Sequence, residues 1–201
     1  MDASFWNERY ISKEYVYGKK SNSFFRDFIY QKLNIPGKLL LPAEGEGRNA
    51  VFAALHGYQV TAFDFSTEAK HKAQLLASEQ NVSIEYLTSD ISSFDFTPET
   101  YDVVGLFFAH LPPSERATFH ASVISSLLPG GLICLEAFHT DQIALYSGGP
   151  KKKDMLMDVE QLANDFKSMN ILHLAKTERV LDEGPFHQGK AALVQFIAKK
   201  K

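Results

Sequence analysis

The chain has 201 residues, of which 45 % are hydrophobic, a formal net charge of -3 and a pI near 6.2. This length supports the core of one sizeable domain and would leave a second one cramped, so we expect a single domain over residues 1–201. The weakly acidic balance lacks the basic stripe that sequence-independent nucleic-acid binding requires. We therefore expect a small-molecule ligand and no nucleic acid.

The N-terminus and the single cysteine indicate the expected compartment. "MDASFWNERY" has no apolar segment of signal-peptide type, and no window approaches the length of a membrane-spanning helix. Cys134 is the only cysteine and sits in the apolar run "LICLEAF", which favours a buried, unreactive thiol. We expect a cytoplasmic protein that does not bind a membrane.

An aromatic-rich region, residues 1–35, precedes a regular alternation of short apolar runs and longer segments with helical periodicity. The candidate strands are "KLLLPA", "YQVTAFDF", "VSIEYLT", "YDVVGLFF", "GLICLEAF", "ILHLAKTERVL" and "AALVQFIAK". The candidate helices are Arg48–His56, Thr67–Glu79 and Ser114–Leu128, the last one ending at "PGG". This alternation predicts an α/β fold with a doubly wound, mostly parallel sheet.

The last two candidate strands depart from the alternation. Their connection, "DEGPFHQG", is too short and too rich in glycine and proline for a crossover helix, so it predicts a hairpin. The expected architecture is a Rossmann-like sheet of about seven strands whose final strand runs antiparallel.

The first strand runs into "PAEGEGRNA", which predicts a tight turn into a helix. Gly45 and Gly47 leave room for a ligand, and the helix beginning near Arg48 offers unpaired N–H groups. Asp64 ends the next strand 19 residues beyond Gly45, where its carboxylate can accept hydrogen bonds from both hydroxyls of a ribose. The pattern Gly45-x-Gly47-x-x-Ala50 also fits nicotinamide enzymes, so the loop alone does not choose between the two ligand classes.

Further features favour one class. In "TSDISSFDF", Asp90 follows the third strand, where it can accept from an exocyclic adenine amine while Ile91 packs on the base. The turn "LLPGGLICLEAF" and the terminal hairpin complete the pattern. With "FWNERYISKEYVYGKKSNSFF", "GEGRNAVF" and "GYQVTAFDFS", the chain resembles class I S-adenosylmethionine-dependent methyltransferases, and within them the small tellurite-resistance (TehB-like) and thiopurine or thiol methyltransferase group.

The resemblance covers nearly the whole chain and implies S-adenosylmethionine as cofactor and a small-molecule methyl acceptor. Thiols and other chalcogen nucleophiles are the first candidates for that acceptor. The cofactor-binding residues it implies are Glu44, Gly45, Glu46, Gly47, Arg48, Asp64, Phe65, Asp90, Ile91 and Phe107. Two positions depart from the family pattern: Leu41 stands where an acid is usual, and Ala43 where glycine is usual. Glu44 or Glu46 is expected to replace the acid and reach the cofactor's ammonium group.

Methyl transfer needs alignment of donor and acceptor and exclusion of water, so no catalytic acid or base is obligatory. The aromatic N-terminal region is expected to form a lid over the cofactor, or else the contact of a homodimer. Tyr10, Tyr17, His110 and His187 are the candidate residues on the acceptor side. No metal is predicted, because the histidines and acids show no ligand spacing.

Two alternatives remain open at this point. A nicotinamide-dependent oxidoreductase would use Gly45, Gly47 and Asp64, but it explains neither Asp90 nor the hairpin. A non-catalytic cofactor-binding protein would explain the departures at Leu41 and Ala43.

Overall fold

The computed structural model describes residues 3–31 and 37–201. The helices are α1 (Ala3–Tyr10), α2 (Ser23–Gln31), α3 (Arg48–Leu55), α4 (Thr67–Glu79), α5 (Pro113–Ser126) and α6 (Val159–Asp165). The strands are β1 (Lys38–Pro42), β2 (Gln59–Asp64), β3 (Glu85–Thr88), β4 (Tyr101–Phe107), β5 (Leu127–Phe138), β6 (Asn170–Asp182) and β7 (Gln188–Lys199). The predicted lid, residues 1–35, lies partly outside the described residues.

The strands form one seven-stranded sheet in the order β3-β2-β1-β4-β5-β7-β6. β1 pairs parallel with β2, β2 with β3, and β4 with β5, whereas β7 runs antiparallel to both β5 and β6. The predicted Rossmann-like architecture with an antiparallel final strand is confirmed.

The chain divides into two compact units, Met1–Phe94 with Glu183–Phe186, and Asp95–Asp182 with His187–Lys201. In the first unit, Leu39, Leu40 and Leu41 are fully buried, as expected for a strand covered on both faces. Leu41 is therefore a core residue, which explains how an apolar side chain is accommodated where the family has an acid. Whether the chain is one domain stays a prediction.

Two helices of the first unit begin at residues whose side chains cap them. α4 begins at Thr67 as predicted, and Ser66 caps it by accepting a hydrogen bond from the backbone N–H of Ala69. The Asn22 side chain accepts from the N–H of Phe25 at 3.0 Å, which caps α2. Phe25 and Phe28 of this helix are buried in the core.

The second unit corrects one predicted boundary. The helix expected to reach Leu128 ends at Ser126, and Pro129-Gly130-Gly131 lies inside β5. Leu127 has extended dihedrals and already pairs with Tyr101, after which the register shifts before Val103 meets Leu132. The prediction was wrong because the Pro-Gly-Gly turn is an irregularity within the strand, not the stop of the helix.

Cys134 is buried on β5, and burial raises the pKa of its thiol well above the usual range. The expected burial of this cysteine is confirmed, and a thiol that stays protonated is a poor nucleophile. Within the described ranges, no helix combines the length and the apolar character needed to cross a membrane.

Candidate active site

In the loop between β1 and α3, every second residue from Ala43 to Gly47 has a left-handed backbone conformation. Ala43, Gly45 and Gly47 have φ values of 52°, 67° and 87°. A Cβ on Gly47 would lie 2.5 Å from the Cβ of Ala73 on α4, so this glycine makes room for the helix and not for a ligand. A Cβ on Gly45 would lie 2.9 Å from the Tyr10 hydroxyl, which places α1 directly against the loop.

Asp64 connects the loop to the end of β2. It is buried, and its carboxylate accepts from the N–H of Gly45 at 3.1 Å and from the N–H of Ser66 at 3.0 Å. Burial raises the pKa of this carboxyl group to about 6, although the backbone hydrogen bonds oppose that rise. The predicted neighbourhood of Asp64 and the glycine loop is therefore present.

Glu44 occupies the N-terminus of α3. Its Oε1 accepts from the backbone N–H of Asn49 at 2.7 Å and of Ala50 at 2.8 Å, and its Oε2 accepts from the Asn49 side chain at 3.2 Å. Burial raises the pKa of Glu44 to about 7. In this structure the residue caps the helix, a role that the sequence analysis did not assign to it.

The other two charged residues of the loop bind the N-terminal segment. Glu46 is buried, forms a 2.5 Å ion pair with Lys72 of α4 and accepts from the N–H of Tyr17 at 3.2 Å. Lys72 also donates to the carbonyl oxygens of Ser12 and Glu14, at 2.8 and 2.6 Å. Sequence reasoning missed Lys72, because nothing local marks a lysine whose partners lie about 60 residues away.

Arg48 is buried and forms a 2.8 Å ion pair with Glu183, in the turn between β6 and β7. It also donates to the carbonyl oxygens of Tyr17 and Lys20. Gly184, the next residue of that turn, fits tightly against the backbone around Gly18, since a Cβ on it would lie 2.6 Å from the Gly18 nitrogen. Residues 12–20 are thus held between the glycine loop and the hairpin turn.

The aromatic residues of the N-terminal segment pack together above the loop. Trp6 stacks on Tyr10 with centroids 5.5 Å apart, and Tyr17 lies edge-on to Tyr10 at 6.3 Å. Tyr10 is buried, and burial next to Asp64 raises the pKa of its hydroxyl well above the usual range. Both tyrosines predicted on the acceptor side therefore lie beside the glycine loop.

Asp90 follows β3 and is exposed. Its side chain accepts from the N–H groups and hydroxyls of Ser92 and Ser93, and these bonds lower its pKa. Phe65 and Ile91, its predicted companions, are half-buried. Ser89 donates to the Asp64 carbonyl at 3.0 Å, so the ends of β2 and β3 are adjacent.

The remaining predicted residues belong to the second unit. His110 donates from Nδ1 to the Met155 carbonyl at 2.9 Å, and its Nε2 accepts from the N–H of Phe138 at 3.3 Å. Burial lowers its pKa to about 4, so the ring is neutral near pH 7. His187 is buried edge-on against Phe108 and Phe138, and Phe107 is buried at the end of β4.

Among the described residues, no three histidine, cysteine or acidic side chains are grouped as metal ligands would be. The glycine loop, Asp64 and the strand ends near Asp90 instead combine hydrogen-bond acceptors with aromatic faces, which suits a nucleoside-like cation more than a metal.

Residues 42–131 match the family model of a methyltransferase domain. This segment is a methyltransferase domain. No curated protein sequence is a significant match to the chain.

Solved structures support the fold over the whole chain. A chain from the study of the conversion of a disulfide bond into a thioacetal group during echinomycin biosynthesis aligns with a TM-score of 0.78 and 15 % identity, covering 100 % of this chain and 90 % of that chain. TehB from Haemophilus influenzae aligns with a TM-score of 0.73 and 19 % identity, covering 99 % and 67 %. The N-methyltransferase NodS from Bradyrhizobium japonicum WM9, in complex with S-adenosyl-L-homocysteine, aligns with a TM-score of 0.71 and 14 % identity, covering 98 % and 97 %.

Proposed function

We propose that this methyltransferase moves a methyl group from S-adenosylmethionine to a small-molecule acceptor whose nucleophile is sulfur, selenium or tellurium. The observation that carries the cofactor site is the cluster of Gly45, Asp64 and Tyr10, in which a buried carboxylate and an aromatic ring meet at the glycine loop.

The proposed cofactor contacts follow the strand ends. Asp64 binds the ribose hydroxyls, Asp90 accepts from the adenine amine, and Ile91 packs on the base. Support comes from the adjacent ends of β2 and β3. Within the described residues, Asp90 Oδ1 accepts three hydrogen bonds and Oδ2 accepts one, from the Ser93 hydroxyl, so Oδ2 has room for a further donor.

Glu44 argues against the nicotinamide alternative. A dinucleotide places its pyrophosphate on the N–H groups of the helix that follows the glycine loop. Here those of Asn49 and Ala50 already donate to the Glu44 carboxyl group, so a pyrophosphate would have to displace that side chain. A cofactor without a pyrophosphate does not need these N–H groups.

The arrangement suits an acceptor that is already nucleophilic. His110 is neutral, and both ring nitrogens are bound to backbone groups, so it supports a positioning role better than proton transfer. A thiolate or a heavier chalcogen anion needs no base, because it attacks the sulfonium methyl group directly. One structural neighbour, from the echinomycin study, also concerns a reaction at sulfur.

We also propose that the N-terminal segment is the lid of this site. Trp6, Tyr10 and Tyr17 offer ring faces to a sulfonium. The hydrogen bonds of Lys72 to the Ser12 and Glu14 carbonyls, and of the Tyr17 N–H to Glu46, hold the segment against the loop. The homodimer contact stays an untested alternative for the exposed part of the same region.

Methyl transfer from labelled S-adenosylmethionine to a panel of thiols, selenite and tellurite tests the proposal, with alcohols and amines of matched size as comparison acceptors. We expect label to reach the chalcogen acceptors and Asp64→Ala to reduce transfer. Transfer to oxygen or nitrogen acceptors alone would contradict the acceptor class, and tight cofactor binding without any transfer would favour the non-catalytic alternative.

A further inference from the structure

Arg9, in the last turn of α1, is a half-buried cation enclosed by aromatic rings. Its guanidinium carbon lies 4.8 Å from the centroid of Phe5, 5.3 Å from that of Trp6 and 4.5 Å from that of Phe186. Its Nη1 donates to the Tyr17 hydroxyl at 3.0 Å.

No carboxylate in the described part of the chain lies within ion-pair distance of Arg9. The other arginine of this site differs, because Arg48 is paired with Glu183 at 2.8 Å. Among residues 3–31 and 37–201, Arg9 therefore carries a positive charge that ring faces and one hydroxyl stabilise and that no acid neutralises.

This environment leaves the guanidinium ready to bind an anion. The rings contact its faces, which fixes its plane without using its N–H groups. Towards the described residues, one of its donors is engaged, in the bond to Tyr17. A planar fork held in this way matches the two oxygens of a carboxylate or another oxyanion, and partial burial strengthens such a pair. Phe5 and Phe186 are exposed at the rim, so a ligand can approach from that side.

Tyr17 connects Arg9 to the glycine loop. Its hydroxyl accepts from Arg9, its backbone N–H donates to Glu46, and its carbonyl accepts from Arg48. Trp6, one of the rings at Arg9, stacks on Tyr10, whose hydroxyl lies against Gly45. The cation is thus one side chain away from the residues proposed to hold the cofactor.

We propose that Arg9 binds an oxyanion group on the methyl acceptor and so selects anionic over neutral acceptors. A carboxylate is the oxyanion that best fits the planar guanidinium. This inference rests on the proposed function, since it concerns the acceptor of the same site. Arg9 is a specificity residue that orients the acceptor by its anionic end, while the nucleophilic atom is elsewhere on that molecule.

The test compares 3-mercaptopropionate with its methyl ester, two thiols that differ in the negative charge. Calorimetric binding of each to the full chain saturated with S-adenosylhomocysteine measures the preference without requiring turnover. We expect the acid to bind the wild-type protein roughly 10- to 100-fold more tightly, the range of a charge-assisted hydrogen bond. Equal binding of the two thiols, or binding of neither, would overturn the inference.

Substitutions of Arg9 test whether the preference for the acid over the ester depends on this residue. Arg9→Met should abolish it, and Arg9→Lys should keep only part, because an ammonium group lacks the planar fork. Lys13→Met is the matched control: it removes one positive charge from the same exposed segment and should leave the preference intact.

A second readout separates specificity from a structural role. If the role of Arg9 is only to hold the aromatic rings together, Arg9→Met would weaken the binding of acid and ester equally and would lower the free energy of unfolding. That result would contradict the inference. If the wild-type protein does not bind S-adenosylhomocysteine at all, that result contradicts the proposed function and says nothing about Arg9.

Discussion

Ala43 keeps the left-handed backbone conformation expected at a position where glycine is usual, although alanine adds a methyl group there. The position where glycine is usual adopts a left-handed conformation with φ of 52°, so the turn is preserved and the alanine Cβ bears the strain. The departure noted in the sequence therefore changes the energy of the loop more than its shape.

Replacing Ala43 by glycine should stabilise the protein. Relief of the left-handed strain is worth about 1 kcal/mol in the free energy of unfolding, measured by urea denaturation. Ala50→Gly is the control: this residue lies inside α3, where glycine should cost about 1 kcal/mol. A neutral or destabilising effect of Ala43→Gly would contradict the strain.

Asp64 is the residue on which the proposed cofactor site depends most. Asp64→Ala should weaken binding of S-adenosylhomocysteine by about 1.5–3 kcal/mol, the scale of a lost hydrogen bond to a charged group. Asp158→Ala makes the same change at an aspartate that caps α6, and it should cost stability without altering cofactor affinity. Equal affinities of wild type and Asp64→Ala would remove the ribose assignment.

At the scale of elements, the carboxyl group of Glu44 at the start of α3 makes the stability of the fold depend on pH. Burial raises the pKa of Glu44 from its ordinary value of 4.5 to about 7, so the folded protein holds a proton that the unfolded chain releases. The stability linked to this proton is fully present below about pH 4.5 and is lost as the pH rises towards 7.

Glu44→Gln should remove that pH dependence. The free energy of unfolding of wild type relative to the variant is expected to fall by at most about 3 kcal/mol between pH 4.5 and 7.5, because each unit of pKa shift is worth about 1.4 kcal/mol. Comparing the two proteins cancels the other titrating groups, including His110, whose lowered pKa acts in the opposite direction. A flat difference, or one that rises with pH, would show that Glu44 caps the helix as a permanently ionised carboxylate.

Elements also show where local sequence signals succeed and fail. The start of α4 at Ser66 and the cap of α2 at Asn22 were predictable, because a cap is a contact between residues three apart. The end of α5 was not, since Pro-Gly-Gly signals a turn wherever it occurs, and only pairing of Leu127 with Tyr101 shows that the strand has already begun.

For the whole molecule, the sequence pattern predicted the seven-stranded sheet and its antiparallel last strand. It also predicted the glycine loop and Asp64, since parallel strands end at one edge of the sheet and bring their following loops together. The sequence suggested that the N-terminal region covers the site, but not the contacts that hold it there, because Lys72, Glu183 and Arg9 meet partners far away in the chain. Such contacts leave no periodicity in the sequence.

The most direct test of the central claim is parallel calorimetric titration of the purified protein with S-adenosylhomocysteine and with NADH. The account predicts saturable binding of S-adenosylhomocysteine and none of NADH, because the loop carries Asp64 for a ribose while Glu44 occupies the helix N-terminus that a pyrophosphate needs. Binding of NADH, or failure to bind S-adenosylhomocysteine, would contradict it.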